Sequence, residues 1–168
     1  MHGADCSRPI ADIHHSPLTI HHSPFTMSIW FKNFSLQEVR QRGANTMVEH
    51  IGIEITELGE DYLKGTMPVD HRTVQPMRIL HGGASVALAE TLGSLAANLV
   101  VDGEKKYCVG LDINANHIRA AKMGKVTGCA KPLHLGGTTQ VWSIEITDEQ
   151  NRLVCISRLT MAVLDRKL

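Results

Sequence analysis

Between His81 and Asp102 the chain carries a single charged side chain, Glu90, in a run of small and apolar residues. A helix that is apolar on most faces has no solvent side to keep, so this stretch belongs inside the molecule. Burying an isolated carboxylate is costly unless something uses or compensates it. Glu90 is therefore the first candidate for chemistry. Ser94 follows one helical turn later on the same side. At the other end, His81-Gly82-Gly83 falls where such a helix begins. There, backbone N–H groups lack partners and the helix dipole is positive. Glycine lets a ligand approach that backbone closely. The Gly82 N–H is then a ready donor to a carbonyl oxygen that gains negative charge, an interaction worth ~3 kcal/mol of barrier. His81 beside it reads as a positioning group, because no serine-type nucleophile accompanies it. Each residue also has a plainer reading. The glycines can serve tight packing alone, the glutamate a structural hydrogen bond, Ser94 its own helix backbone, and Gln75 a loop bridge.

These groups need elements to position them. Ser35 and Glu38 form a capping box for a short helix over about 36–42, and Asn45 to His50 adds a further turn. Ile51, Ile53 and Ile55 alternate with Gly52, Glu54 and Thr56 as a strand, Gly59-Glu60-Asp61 turns the chain, and Tyr62 to Val69 returns. Asp70 to Leu80 is a loop containing Pro76, and the apolar helix follows, closed by Asp102-Gly103. Four strands come next. In the first, Tyr107, Val109, Leu111, Ile113, Ala115 and His117 share one face; the others run from Lys125 to Leu135, with Pro132 marking a bulge or edge, from Thr139 to Thr147, and from Leu153 to Leu164. Short connections favour antiparallel neighbours. One long apolar helix with one sheet to pack against is expected to be wrapped by that sheet, an α+β arrangement.

The 168 residues suit one domain, at 43% hydrophobic, 20% charged and formal net charge +0. Nucleic acid and anionic membranes are not the expected partners of a chain without basic excess. The apolar run from Ala84 to Val101, interrupted by Glu90, Gly93 and Asn98, reads as a core helix, and no membrane span is expected. Cys6, Cys108, Cys129 and Cys155 lack C-x-x-C spacing and read as reduced thiols of a cytoplasmic protein. Residues 1–26 differ in kind: IHHSPLT and IHHSPFT stand in tandem, without helix or strand periodicity. They read as a low-complexity, disordered extension before a folded domain over 27–168. Its His14, His15, His21 and His22 are read as compositional bias rather than a metal site, because zinc needs four ligands in fixed geometry.

Several motifs, in order, carry a resemblance: Met67-Pro68-Val69-Asp70, Gln75-Pro76, Leu80-His81-Gly82-Gly83-Ala84-Ser85, Ala89-Glu90-Thr91 with Gly93-Ser94, Gly110-Leu111-Asp112-Ile113-Asn114-Ala115-Asn116-His117, and Lys131-Pro132-Leu133-His134-Leu135-Gly136. Together they resemble the hot-dog-fold acyl-CoA thioesterases of the 4-hydroxybenzoyl-CoA and 1,4-dihydroxy-2-naphthoyl-CoA thioesterase branch, over roughly Met27 to Leu164. The resemblance implies an antiparallel sheet wrapped around one central helix, and hydrolysis of aryl-CoA or related acyl-CoA thioesters to free acid and CoA. For the naphthoyl ester that would be a step of menaquinone biosynthesis. It implies Glu90 as the catalytic carboxylate, attacking the thioester itself or activating a water, Gln75 on the carbonyl or water, Gly82, His81 and Ser94 around them, and Gly83, His117, Arg119 and Lys122 at the substrate or CoA. It implies no metal and no cofactor beyond the CoA of the substrate. Family members form dimers, usually paired into tetramers, whose interface sites take the glutamate from one subunit and the Gln/Gly donors from the other. Two rival readings stay open: a hydratase or dehydratase on the same fold, for which Asp70 is the one candidate to pair with His81, and a non-catalytic acyl-CoA-binding protein. One departure stands out, Met77-Arg78 where relatives usually carry Phe-Gly, and it bears on the acyl group or the CoA entrance.

Overall fold

The computed structural model describes residues 28–167, so the His-rich repeat and the expected extension over 1–26 lie outside the described residues. The capping box forms as expected: the Glu38 N–H donates to Ser35 Oγ, the Ser35 N–H returns to Glu38 Oε2, and α1 runs from Leu36 to Gln41. Thr46 caps the single-turn α2, Met47–His50. Strand β1 is Glu54–Leu58, beginning later than the isoleucine alternation suggests. Ile51 is taken as the C-cap of α2, and Gly52 turns the chain at φ 73.

Strand β2, Leu63–Pro68, leads through the loop to α3, Gly82–Val100, followed by β3 (Lys106–His117), β4 (Lys125–Leu135), β5 (Thr139–Thr147) and β6 (Leu153–Asp165). The six strands form one antiparallel sheet in the order β1-β2-β4-β5-β6-β3. Consecutive strands are neighbours except β2 and β3, which α3 joins across the sheet, and β3 and β4, which β6 and β5 separate. The intervening residues 118–124 reach up to about 23 Å when extended, against about 14 Å for three strand spacings, so a short connection does not force adjacency here. The crossover is clipped down by the Leu80 N–H on Ala121 O (2.8 Å) and the Ile118 N–H on Val154 O (2.8 Å).

The sheet wraps α3, which contacts β2 through β6. By length and composition α3 would suffice to cross a membrane, but Leu88, Leu92, Ala96 and Leu99 are fully buried against the sheet. Glycines set the closeness of this packing. Gly65 and Gly128 stand opposite each other on β2 and β4, and Leu92 fills the hollow they leave: Cβ atoms there would lie 2.9 and 2.6 Å from its methyls. Gly93 does the same for Leu159, whose methyl would lie 2.5 Å from a Cβ. At the centre of β5, Trp142 is buried with its indole N–H on Gln140 Oε1 (3.0 Å), a buried polar pair that satisfies itself.

The single-face reading of β3 needs correction. A bulge at Leu111 places Gly110 opposite Met161 and Asp112 opposite Thr160, and so inverts the alternation midway. Cys108 and Gly110 face α3 before it, Ile113 and Ala115 face the core after it, and Val109 and Leu111 are 38% and 64% exposed. His117 therefore shares a face with Ile113 and not with Val109. The expected bulge at Pro132 is present, between Pro132 and His134.

Gly128→Val should destabilise the protein by about 1–3 kcal/mol through overpacking against Leu92, read by urea denaturation. Adding Leu92→Ala should make the double variant more stable than the sum of the two single effects predicts; strict additivity would show that the hollow is not shared.

Candidate active site

The loop between β2 and α3 is built before the site it carries. Thr73, 1% exposed, donates from Oγ1 to Pro68 O (2.6 Å), accepts from the Asp70 N–H (3.1 Å), and offers its carbonyl to the His81 N–H (2.9 Å). Arg72 closes on Asp70, Nη2 to Oδ2 at 2.7 Å. Hydrogen bonds from the Arg72 side chain and backbone hold the Asp70 carboxyl down at about 2. Gln75 then starts a tight turn, accepting the Met77 N–H on its Oε1 (3.0 Å) and leaving its carboxamide NH2 without a partner among the described residues.

His81 is the N-cap of α3, and its Nδ1 accepts from the Gly83 N–H at 2.8 Å. The Ala84 and Ser85 N–H groups both bond His81 O. Of the first four helical donors, only the Gly82 N–H is left without a partner among the described residues. Gly83 is thus engaged through its amide, and His81 serves as a cap through its Nδ1. The imidazole of His117, at the far end of β3, stands over Gly82: a Cβ at Gly82 would lie 2.8 Å from its Nε2. Gln75, Gly82, Ser85, His117 and Arg119 line one cavity of about 280 Å3. His117 is exposed at this cavity and is not a core histidine.

Glu90 is elsewhere. It is half-buried, accepts from Ser94 Oγ on Oε1 at 3.2 Å, and lies against Gly110 of β3, where a Cβ would come within 2.5 Å of Oε1. Ser94 therefore turns its hydroxyl to the carboxylate and also touches Met161 Sδ at 3.7 Å. Asn98, one turn on, clasps the edge strand: its Nδ2 donates to Ser94 O and Cys108 O (2.9 and 3.1 Å), and its Oδ1 accepts the Cys108 N–H (2.9 Å). Glu90 is eight residues beyond Gly82, about 12 Å along the helix. One chain thus brings Gln75, Gly82, His81, Gly83, His117 and Arg119 into one neighbourhood and Glu90 and Ser94 into another. Lys122 is exposed on the crossover beside Ala121.

Asn98, Gly110 and Thr73 were not singled out by the sequence. Glu90, Ser94 and Asn98 at i, i+4 and i+8 are a polar stripe on an apolar helix, and a glycine inside a strand pattern signals close approach. Thr73 gives no such signal. A second cavity, of about 720 Å3, lies between α1, α2, β1 and α3 and holds none of the expected residues. Its cations are already engaged, Arg40 on Ile55 O, Arg72 on Asp70 and Lys125 near Glu54, so chemistry favours the smaller cavity. Cys108, Cys129 and Cys155 are free thiols; burial pushes Cys108 up to about 11. Among the described residues no three His, Cys, Asp or Glu side chains group to hold a metal ion.

A model of the thioesterase superfamily matches residues 77–155. A putative esterase of Vibrio cholerae is 63% identical over 137 residues, 82% of this chain and 91% of that protein. The chain belongs to the thioesterase superfamily. The 1,4-dihydroxy-2-naphthoyl-CoA hydrolase of Escherichia coli is 53% identical over 136 residues, 81% of this chain and 99% of that protein. The crystal structure of a thioesterase from Haemophilus influenzae, 55% identical, matches with a TM-score of 0.79 and covers 82% of this chain and 95% of that one. The protein is a thioester hydrolase with the hot-dog fold. Among the described residues Asp70 pairs with Arg72, with His71 at 4.0 Å, and not with His81, whose Nδ1 caps the helix.

Thr73→Val keeps the side-chain shape but leaves the Pro68 carbonyl and the Asp70 N–H without it. A loss of about 1–3 kcal/mol in urea denaturation is expected; an unchanged midpoint would show that the loop is held by its other bonds.

Proposed function

We propose that this thioesterase hydrolyses aryl-CoA or related acyl-CoA thioesters to the free acid and CoA, in sites completed by two copies of the chain. The observation that carries the reading is the separation of about 12 Å, along one rigid helix, between Glu90 and the unpartnered Gly82 N–H. Neither half is a site alone. Strand β3 is one of the two edges of the sheet, opposite β1, and carries both halves on its inner face, Gly110 against Glu90 and His117 against Gly82. Antiparallel pairing of two such edges about a two-fold axis between Ile113 and Asn114 sets Gly110 opposite the partner subunit's His117. That register brings Glu90 toward the partner subunit's Gly82 and Gln75, and the self-association is isologous.

In this arrangement the thioester carbonyl accepts from the Gly82 N–H and the Gln75 NH2, and its oxygen gains negative charge where these donors wait. Glu90 either attacks the carbonyl carbon, expelling CoA as thiolate and leaving an anhydride that water cleaves, or takes a proton from the water that attacks. Ser94 holds the carboxylate by its 3.2 Å hydrogen bond. His117, Arg119 and Lys122 face the pantetheine and phosphates, and His81 fixes the helix start that presents the Gly82 donor. No metal or prosthetic group enters these steps. The 1,4-dihydroxy-2-naphthoyl ester, the substrate in the name of the Escherichia coli relative, is the first acyl group to try, with a role in menaquinone biosynthesis. Free thiols at Cys108, Cys129 and Cys155 support a reducing, cytoplasmic setting.

Glu90→Ala and Gln75→Ala should each lower kcat, Glu90→Ala by about 100-fold or more in a thiol-release assay. A Glu90→Ala enzyme that keeps more than about a tenth of wild-type activity removes the proposed role. Refolding the two variants together in equal amounts should restore roughly a quarter of wild-type activity, because half of random dimers then hold one intact site. Failure to restore activity while dimers form would place each site within one chain. EDTA treatment should leave the rate unchanged.

A further inference from the structure

Among the described residues most cations have partners: Lys64, Arg72, Lys125 and Arg152 pair with carboxylates, and Arg42 and Lys131 lie over aromatic rings; Arg158 and Lys167 have neither and stand alone on the outer face of β6 and at its end. Arg78, Arg119 and Lys122 have neither kind of partner among the described residues, and they belong to two adjoining segments. The turn bearing Arg78 is clipped to the crossover bearing the other two by the Leu80 N–H on Ala121 O. Gln75, Ile79 and Arg119 from these segments line the same cavity.

Arg78 is also held where arginine is out of place. Its φ is 60, in the left-handed region. The other non-glycine residues there, Asn45 and Asn151, are of the type that tolerates it. The turn is fully specified by the Gln75 N–H on Ile79 O (2.9 Å), the Arg78 N–H on Gln75 O (2.8 Å) and the Met77 N–H on Gln75 Oε1. Glycine would serve this backbone without strain, so the reason for an arginine lies in its side chain.

We infer that Arg78 is a specificity-determining residue whose guanidinium joins Arg119 and Lys122 in a cationic rim that binds the phosphates of the substrate's nucleotide portion. The inference rests on the acyl-CoA reading of the site. A guanidinium offers a fork of N–H donors that matches phosphate oxygens, and three uncompensated cations attract a multiply charged ligand. The rim selects CoA esters over thioesters of short, uncharged thiols. Being exposed, it weakens as salt shortens the reach of charge to below about 10 Å.

The test uses one aryl group as its CoA ester and as its N-acetylcysteamine thioester, on wild type, Arg78→Gly, Arg78→Asn and Arg78→Lys. Glycine and asparagine both accept the left-handed turn, so the fold is kept, and the melting temperature of Arg78→Gly should not fall below wild type. For both neutral variants KM on the CoA ester should rise roughly five- to tenfold with kcat retained, and the gap should narrow at high salt. Arg78→Lys should recover part of the loss, and the loss should be confined to the CoA ester. An unchanged KM on the CoA ester, or equal changes on both esters, overturns the inference while leaving the thioesterase reading intact. Wild-type protein that releases no thiol from any acyl-CoA sinks that reading itself.

Discussion

Leu92 sits in a hollow made by two glycines that face each other across β2 and β4, and most of the structure follows from that contact. The absence of two Cβ atoms lets a 19-residue helix come down onto the sheet, and Gly93 lets it do so again over Leu159. Interiors pack like crystals, so a helix seated this closely has neither axial nor rotational freedom. Everything on α3 that matters for chemistry inherits that rigidity.

The consequence is a division of labour along one helix. Among the described residues its first turn presents one spare N–H, at Gly82, because His81 accepts the three amides that follow, Gly83 on its side chain and Ala84 and Ser85 on its carbonyl. Its second and third turns present Glu90, steadied by Ser94. A rigid rod holds these apart by about 12 Å, and no motion within the chain closes that gap. The proposed two-copy site answers this constraint, because a two-fold axis reverses the second rod and brings unlike ends together.

Strand β3 links the two regions. Asn98 fastens its beginning to the helix through both Cys108 backbone groups, and the bulge at Leu111 changes which residues face inward. Without the extra residue, Gly110 and His117 would point to opposite faces of the sheet; with it, Gly110 abuts Glu90 and His117 abuts Gly82. The loop before the helix is equally determined, with buried Thr73 holding the His81 N–H that begins α3.

Much of this was legible from the residues alone. The capping box at Ser35 and Glu38, the four long strands, the core helix and the Pro132 bulge depend on local periodicity and turn chemistry, which a sequence carries directly. The lone carboxylate and the His-Gly-Gly helix start were equally visible, because an apolar run makes its one exception conspicuous. The bulge in β3, the far placement of β3 beside β6, and the roles of Thr73, Gly110 and Asn98 were not. Each depends on a contact between segments distant in the chain: Gly110 matters because Glu90 comes to rest against it, and Thr73 because the Asp70–Leu80 loop folds back onto it. Sequence determined which groups this protein has and on which element each stands. The tertiary packing alone decided that the helix would hold its donor and its carboxylate too far apart to meet, since separation along a rigid helix is set by its rise and its seat in the sheet.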